Sequence, residues 1–435
     1  MLVLSGSTTA LAATSVSQYG ITWTFNEDYQ IGQFVSGDYW VVENVSGDGV
    51  TITNMSPGTK TISGRDINGS MINPMAGSAP SQGFDSSLGN YEPSLNIGVS
   101  LPKIVPAGSS IVSVISHDDS KNRPRLTDAA ILTVLSRVPA EGDFRPPYIG
   151  SDKTLRWSVR DIDYSWLRSL PKPATSPPLS AVAALVERPY IEIHTSVGGR
   201  EWHPLNNQQF YGREIVYDLS ECLLSLQLDY SNEQKEHLLF SMLQLGIDIY
   251  GAAINGGYWE DKGGHNHGRK MTMVLAGVMF NDPNILEYAD AQHHMIFQED
   301  LQTFYVTQAD IDDCPKFSGD GRLRECYTSE MLGMPEWGAQ HASQPSRDGS
   351  NWDVLYRTTV GNSQFGHVLA ARLMNVEGYW NHPALFEYMD RLWEVEKNEA
   401  KDSKNKIHWF EHDMWKAYRY MNPPEDPSQL SISPN

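Results

Sequence analysis

The chain has 435 residues, of which 40% are hydrophobic and 20% are charged, and its formal net charge at pH 7 is -20. This length is enough for two or three domains with substantial cores. The negative charge argues against a nucleic-acid partner, because binding a polyphosphate requires an excess of Lys and Arg on the contact face. An acidic substrate remains compatible with it, since a local pair such as Arg269 and Lys270 can hold a carboxylate.

Residues 1–18 are expected to be the remnant of a secretory signal or a disordered end. The segment Leu2–Ala13 ends in the small-residue pattern Ala10-Leu11-Ala12, although no positively charged stretch precedes it. No other segment is expected to supply the roughly 20 apolar residues of a membrane helix. The sequence therefore predicts a secreted or periplasmic protein without a membrane partner.

Residues 19–140 are predicted to form an antiparallel β-sandwich. This region is rich in Gly, Ser, Thr and Val, and it contains short alternating segments such as Phe34–Val42 and Ser110–Ile115. Turn clusters such as Ser46–Gly49 separate them, which is typical of a sandwich. Residues 141–180 are rich in proline, which disfavours helices and central strands, so we expect a surface connector there.

Residues 181–422 are predicted to form an (α/α) toroid of helical hairpins. Apolar residues recur there with a period of about 3.6, and loops of very different length separate the helical segments. The predicted helices include residues 271–280, 283–297, 356–374, 383–395 and 408–420. Residues 423–435 are rich in Pro and Ser and are expected to form a loosely attached tail.

The loop 263–270 is the strongest candidate for a functional site. It places the amide of Asn266 between the imidazoles of His265 and His267, followed by Arg269 and Lys270. The loop leads into a predicted helix, whose free N–H groups favour an anion at that end. We therefore expect it to hold a carboxylate and to move a proton.

Aromatic, amide and imidazole side chains on the long loops are expected to line a cleft at one end of the toroid. Sugar rings stack on aromatic faces, and their hydroxyl groups take hydrogen bonds from polar side chains. The expected substrate-binding residues are His203, Asn207, Tyr211, Arg213, Trp259, His265, Arg269 and Trp337. The alternative is that the aromatic residues only pack the seams between hairpins.

The segment Gly264–Lys270, followed by an apolar helix, Asn281-Asp282-Pro283 and a second helix, resembles the Asn-His helix entry of α/α-toroid polysaccharide lyases. These are the alginate, chondroitin, hyaluronan and heparin lyase families. In them the Asn-His pair is followed by a Tyr with an Arg nearby, for which Tyr356 and Arg357 are the counterparts. The resemblance covers about residues 200–420 as a helix pattern and four positions as chemistry. The chain differs in having the β domain first and in lacking the exact tyrosine motif.

The resemblance implies β-elimination on a uronic-acid polysaccharide, alginate-like or glucuronan-like, without a cofactor. Asn266, with Arg357 or Arg269, would neutralise the uronate carboxylate as it becomes enolate-like. His267 or Tyr356 would remove the proton at C5, and Tyr356 would protonate the leaving oxygen. The implied catalytic residues are thus Asn266, His267, Tyr356 and Arg357, and the implied partner is an anionic polysaccharide.

Two other functions remain open. A glycoside hydrolase would need a pair of carboxylic acids across the scissile bond, for which the candidates are Glu260, Asp261, Glu336 and Asp353. A non-catalytic carbohydrate-binding protein is the other alternative.

The histidines and cysteines do not specify a metal site. The sequence has no His-Glu-x-x-His helix and no Cys-rich spacing, so no metal is expected. Cys314 and Cys326 bracket a polar loop and are either bridged or free, while Cys222 is expected to be a buried small hydrophobe.

Overall fold

The computed structural model describes residues 11–119, 121, 124–202, 213–261, 264–312, 327–338, 360–403 and 405–421, without the side chains of residues 200 and 201. The chain forms two compact units, and both are discontinuous in sequence. The first unit comprises Met1–Ile162, Glu187–Asn206 and Ile247–Gly257, and the second comprises Asp163–Val186, Asn207–Gly246 and Tyr258–Asn435.

The first unit is built from short strands. They are β1 (Leu11–Gln18), β2 (Ile21–Gln33), β3 (Tyr39–Val42), β4 (Val50–Ser56), β5 (Lys60–Ile62), β6 (Arg65–Ile67), β7 (Ser70–Ile72), β8 (Lys103–Val105), β9 (Ser109–Ser116) and β10 (Leu126–Leu135). Within the described residues, eight strands form one sheet in the order β7-β9-β10-β3-β2-β4-β8, with β1 paired to β2. The pair β10 and β3 is parallel and the others are antiparallel, while β5 and β6 form a separate hairpin.

This sheet is mixed, nearly closed and barrel-like, so the predicted β-sandwich is wrong. Strand β2 pairs with three other strands of this sheet. One of its edges pairs with β4 over Thr22–Phe25 and with β3 over Gln30–Gln33, and β1 takes the other edge. Alternation of polar and apolar residues predicts that strands form, but it does not specify which strands become neighbours.

The proline-rich region contributes to the interior of the first unit. Arg145 is fully buried, with its Nε 2.7 Å from Oδ2 of Asp38 and its Nη2 2.6 Å from Oδ2 of Asp248. Phe144 and Tyr148 beside it are also fully buried. The start of the expected surface connector is therefore a buried segment held by an ion-pair network.

The other elements are mainly helices. They are α1 (Leu179–Leu185), α2 (Arg213–Ser225), α3 (Asn232–Ile254), α4 (Lys270–Met279), α5 (Pro283–Ala289), α6 (Gln298–Gln302), α7 (Gln308–Asp312), α8 (Phe365–Met374), α9 (Glu377–Trp380), α10 (Pro383–Glu396) and α11 (Trp409–Tyr418). Strands β11 (Thr303–Tyr305) and β12 (Pro335–Trp337) form a small antiparallel pair. Most of the predicted helices are thus present, with shifted ends.

The helices of the second unit surround a central helix, and the predicted toroid is not seen. Helix α8 packs against α2, α4, α10 and α11. All ten residues of α4 are buried, and in α8 Arg372 alone is not buried. A helix that is buried on every side is surrounded by other helices. A hydrophobic period of 3.6 residues predicts the helix, but it does not specify how many neighbours the helix has. The 3.6-residue period therefore predicts helices correctly, and the prediction that they form a ring of hairpins is wrong.

Helix α3 contradicts the expectation that no other segment is long and apolar enough to be a membrane helix. It is long and apolar enough to cross a membrane, with a mean hydropathy of 1.3, and 83% of its apolar window is buried within the protein. Core helices pass the same length and hydropathy test. Cys222 on α2 is fully buried, which confirms its predicted place in the core.

Candidate functional site

The loop before α4 is fixed in the second unit by Gly268. Its φ is +87°, a conformation that favours glycine. A Cβ atom at this position would lie 3.2 Å from Cε1 of His367 on α8 and 3.2 Å from Cα of Val216 on α2. The loop therefore passes close between two helices, and a side chain at position 268 would push it away from them.

Hydrogen bonds hold the backbone around Asn266 and His267. The N–H of Asn266 donates to Oε1 of Gln298 at 2.7 Å, and its side-chain amide donates to the carbonyl of Glu260 at 3.2 Å. Nη1 of Arg269 donates to the carbonyl of His267 at 2.6 Å. The loop residues thus bind one another and α6, and the imidazole of His267 is presented from a fixed backbone.

The imidazole of His267 faces a glutamate that the sequence analysis did not select. Its Nδ1 lies 3.8 Å from Oε2 of Glu299, and both side chains are fully buried. No donor from another described residue hydrogen bonds to the carboxylate of Glu299. Burial, and then the neighbouring Asp300, raise the pKa of Glu299 to about 7. The carboxyl group of Glu299 can therefore gain or lose a proton near neutral pH while it lies beside the imidazole of His267.

A second buried network begins three residues further along the chain, at Lys270, the first residue of α4. Nζ of Lys270 is 2.5 Å from Oδ2 of Asp300 and donates to the carbonyl of Trp380 at 3.0 Å. The indole N–H of Trp380 donates to the other oxygen of Asp300 at 2.7 Å. These bonds tie α4, α6 and α9 together. Lys270 thus serves the fold, and the expectation that it holds a substrate carboxylate is not supported by its contacts.

The two predicted tryptophans occupy different places. Trp337 is fully buried, with its ring centroid 5.4 Å from that of His267 and 5.5 Å from that of Tyr388. Trp259 is also fully buried, but it stacks on Phe297 at a centroid distance of 4.7 Å. The structure therefore brings Trp337 to the His267–Glu299 pair and places Trp259 in a packing role.

The remaining predicted residues divide into those that the structure describes and those that it does not. His265 and Arg269 are buried in the loop, and Arg213 is buried at the start of α2. Arg213 lies one helical turn before Val216, whose carbonyl is 3.2 Å from Nε2 of His367. Five predicted residues lie outside the described part of the chain: His203, Asn207, Tyr211, Tyr356 and Arg357. Cys314, Cys326 and the hydrolase candidate Asp353 also lie outside it.

Charge around the loop is strongly constrained by burial. His367 is fully buried, and burial together with Arg269 lowers its pKa to about 3, although the carbonyl of Val216 opposes this. His367 is therefore neutral at pH 7. Across the described residues, no group of three or more His, Cys, Asp or Glu side chains is arranged to hold a metal ion.

Glu299 is not recognisable as a site residue from the sequence, because its neighbours along the chain are also polar. The segment Gln298-Glu299-Asp300 consists of polar residues, which normally indicate a solvent-exposed surface. In the structure all three side chains are buried in the five-residue helix α6. The sequence does not show that this polar segment is buried beside His267, because that contact depends on the fold.

Comparison of the chain with family models, with curated proteins and with solved structures found no match. The case for a function therefore rests on the residues and contacts of the loop, α4 and α6.

Proposed function

We propose that this protein is an acid–base enzyme that cleaves a uronic-acid-containing polysaccharide by β-elimination. The observation that carries the proposal is the buried pair of His267 and Glu299, held 3.8 Å apart at the start of α4. A buried imidazole beside a carboxyl group with a pKa near 7 is the equipment of general acid–base catalysis. The proposal includes export of the enzyme, because such polymers lie outside the cell.

In the proposed reaction His267 removes the proton at C5 of the uronic acid. The C–H electron pair forms the C4–C5 double bond, the bond from C4 to the linking oxygen breaks, and that oxygen takes a proton from Tyr356. Glu299 orients His267 and stabilises its protonated form. Arg269 and Asn266 supply positive charge and an amide for the carboxylate of the sugar, whose negative charge grows in the transition state.

Burial supports this assignment energetically. Asn266, His267, Arg269 and Glu299 are each at most 2% exposed. Inside a low-dielectric region each charge and dipole acts more strongly on a substrate than it would in water. Asn266 and Arg269 donate to the carbonyls of Glu260 and His267, which offsets part of their desolvation cost and holds both groups close to the imidazole.

A glycoside hydrolase is the second candidate, and two carboxyl groups favour it. Glu336 is fully buried on β12, and its Oε1 accepts the backbone N–H of Trp337 at 2.7 Å. The raised pKa of Glu299 would keep it protonated enough to act as a general acid. In this alternative Glu336 would be the second carboxylate of the pair.

One experiment separates these functions. The purified chain is incubated with a panel of uronic-acid polymers and neutral glycans, and both the ultraviolet absorbance of unsaturated sugars and the release of reducing ends are followed. A lyase produces both signals, and a hydrolase produces reducing ends without the absorbance. A chain that produces neither, while binding the polymer, is a carbohydrate-binding protein, and the proposal is then wrong.

A further inference from the structure

A cavity of about 450 Å³ lies in the second unit, apart from the His267 loop. Its described lining includes Glu221 from α2, Asp402, and the consecutive residues His408, Trp409 and Phe410 at the start of α11. None of its described lining residues is Lys or Arg. This volume is in the range of pockets that take small organic ligands.

The aromatic side of the cavity is rigid. His408 stacks on Tyr217 with centroids 3.8 Å apart and an interplanar angle of 6°. Phe410 is buried, while Trp409 is 44% exposed and therefore accessible to a ligand. The backbone N–H of Trp409 donates to Oδ1 of Asp402 at 2.9 Å, which fixes that carboxylate at the start of α11. Aromatic and carboxylate side chains thus line the same cavity, as in sites for organic cations.

The acidic side of the cavity brings carboxyl groups of α2 and of the start of α11 close together. Burial, and then Asp402, raise the pKa of Glu221. Burial, and then Glu221, raise the pKa of Asp218 one turn earlier on α2 to about 8, and they raise the pKa of the buried Glu411 well above its usual range. Carboxyl groups on two helices therefore hold their protons more tightly than usual around this cavity. A positive ligand would favour their ionised forms, because an opposite charge nearby lowers the pKa of a carboxyl group.

We infer that this cavity binds an organic cation, a primary or quaternary amine on a short alkyl chain. The ammonium group would lie between the carboxylates of Glu221 and Asp402, and the alkyl chain would lie against Trp409. A bare metal ion is disfavoured, because the described residues offer no cluster of metal ligands. The inference is independent of the proposed lyase activity, since it concerns different residues.

The test is calorimetric titration of the full chain with spermidine and with choline, and with 1,4-butanediol and glucose as neutral probes. We expect saturable binding of an amine that weakens as salt is added. Glu221→Gln and Trp409→Ala should each weaken it at least tenfold. Glu221→Asp should retain part of the affinity, and Glu233→Gln, at a fully exposed position of α3, should leave it unchanged.

Circular dichroism of each variant establishes that it is folded, so a loss of binding is assigned to the cavity. Three results would overturn the inference. The first is that neither amine binds, and the second is that glucose binds as tightly as the amines. The third is that Glu221→Gln binds the amine as tightly as the unmodified chain does. None of these results bears on turnover of a polysaccharide, which is measured separately.

Discussion

Nδ1 of His267 lies 3.8 Å from Oε2 of Glu299, and neither side chain is exposed to solvent. This distance is longer than a hydrogen bond, and catalytic contacts of this kind often shorten only when substrate binds. The pair stands next to a complete ion pair, Lys270 and Asp300 at 2.5 Å. The first pair can therefore change its protonation while the second holds the helices in place.

The first prediction concerns turnover. Glu299→Gln should lower kcat about 100-fold, because the imidazole of His267 loses the carboxylate that stabilises its protonated form. KM should change little, since Glu299 does not contact the substrate in the proposed reaction. Steady-state kinetics on the polymer identified by the panel provides the measurement, with Glu233→Gln as the control. Equal kcat values for Glu299→Gln and the control would remove Glu299 from the mechanism.

The second prediction concerns stability and pH. The pKa of Glu299 rises from 4.5 to about 7 on folding, so the folded chain binds this proton more tightly than the unfolded chain. Its contribution to stability is fully present below pH 4.5 and is lost as the pH rises through about 7. Relative to Glu299→Gln, the unmodified chain should lose up to about 3 kcal/mol across this window.

Urea denaturation at a series of pH values measures this loss. The difference between the unmodified chain and Glu299→Gln should change steadily with pH. The difference between the unmodified chain and Glu233→Gln should change only near the lower pH limit, because the pKa of Glu233 is lowered on folding. Parallel curves for Glu299→Gln would mean that this carboxyl group does not titrate between the two pH limits.

At the candidate site, the sequence pattern predicts the loop and the helix after it, but not the carboxyl group that lies beside His267. The candidate loop 263–270 and the helix after it can be predicted from the sequence, because each depends on a short local pattern of residues. Glu299, the residue that lies beside His267, could not be predicted. It is 32 positions further along the chain, and its burial depends on α6 being enclosed by other helices. Similarly, the alternating pattern predicted strands in the first unit, but not that β10 would lie parallel to β3.

The third prediction tests whether Gly268 positions the loop. Gly268→Ala should destabilise the chain by about 1 to 3 kcal/mol, because alanine is strained at a φ of +87° and its Cβ would press on His367 and Val216. Turnover should also fall, since His267 is the preceding residue. Gly378→Ala on α9 is the matched control, because a Cβ there meets no atom within 4 Å. A similar unfolding midpoint for both variants would show that the loop tolerates displacement.

The fourth prediction concerns the buried ion pairs of the first unit. Asp248→Asn should cost about 3 to 5 kcal/mol, because it leaves the buried guanidinium of Arg145 with Asp38 as its remaining carboxylate. Arg156→Ala removes a salt bridge whose side chains are 43% and 54% exposed, and it should cost less than about 1 kcal/mol. Denaturation of both variants measures the difference, and equal costs would contradict a central role for Arg145.

The last prediction addresses the proposed mechanism as a whole. His267→Ala should keep the fold and the affinity for substrate while lowering kcat at least ~100-fold, and Tyr356→Phe should do the same. Asn266→Ala should raise the barrier by roughly 3 kcal/mol, because one charge-stabilising donor is lost. Since His267 and Tyr356 would act in one proton-transfer sequence, the double variant should be little slower than the slower single variant. Turnover near that of the unmodified chain in both single variants would exclude this centre. In that case Glu336→Gln and Asp261→Asn become the decisive variants, since a hydrolase would require one of these carboxylic acids, while a lyase centred on His267 requires neither.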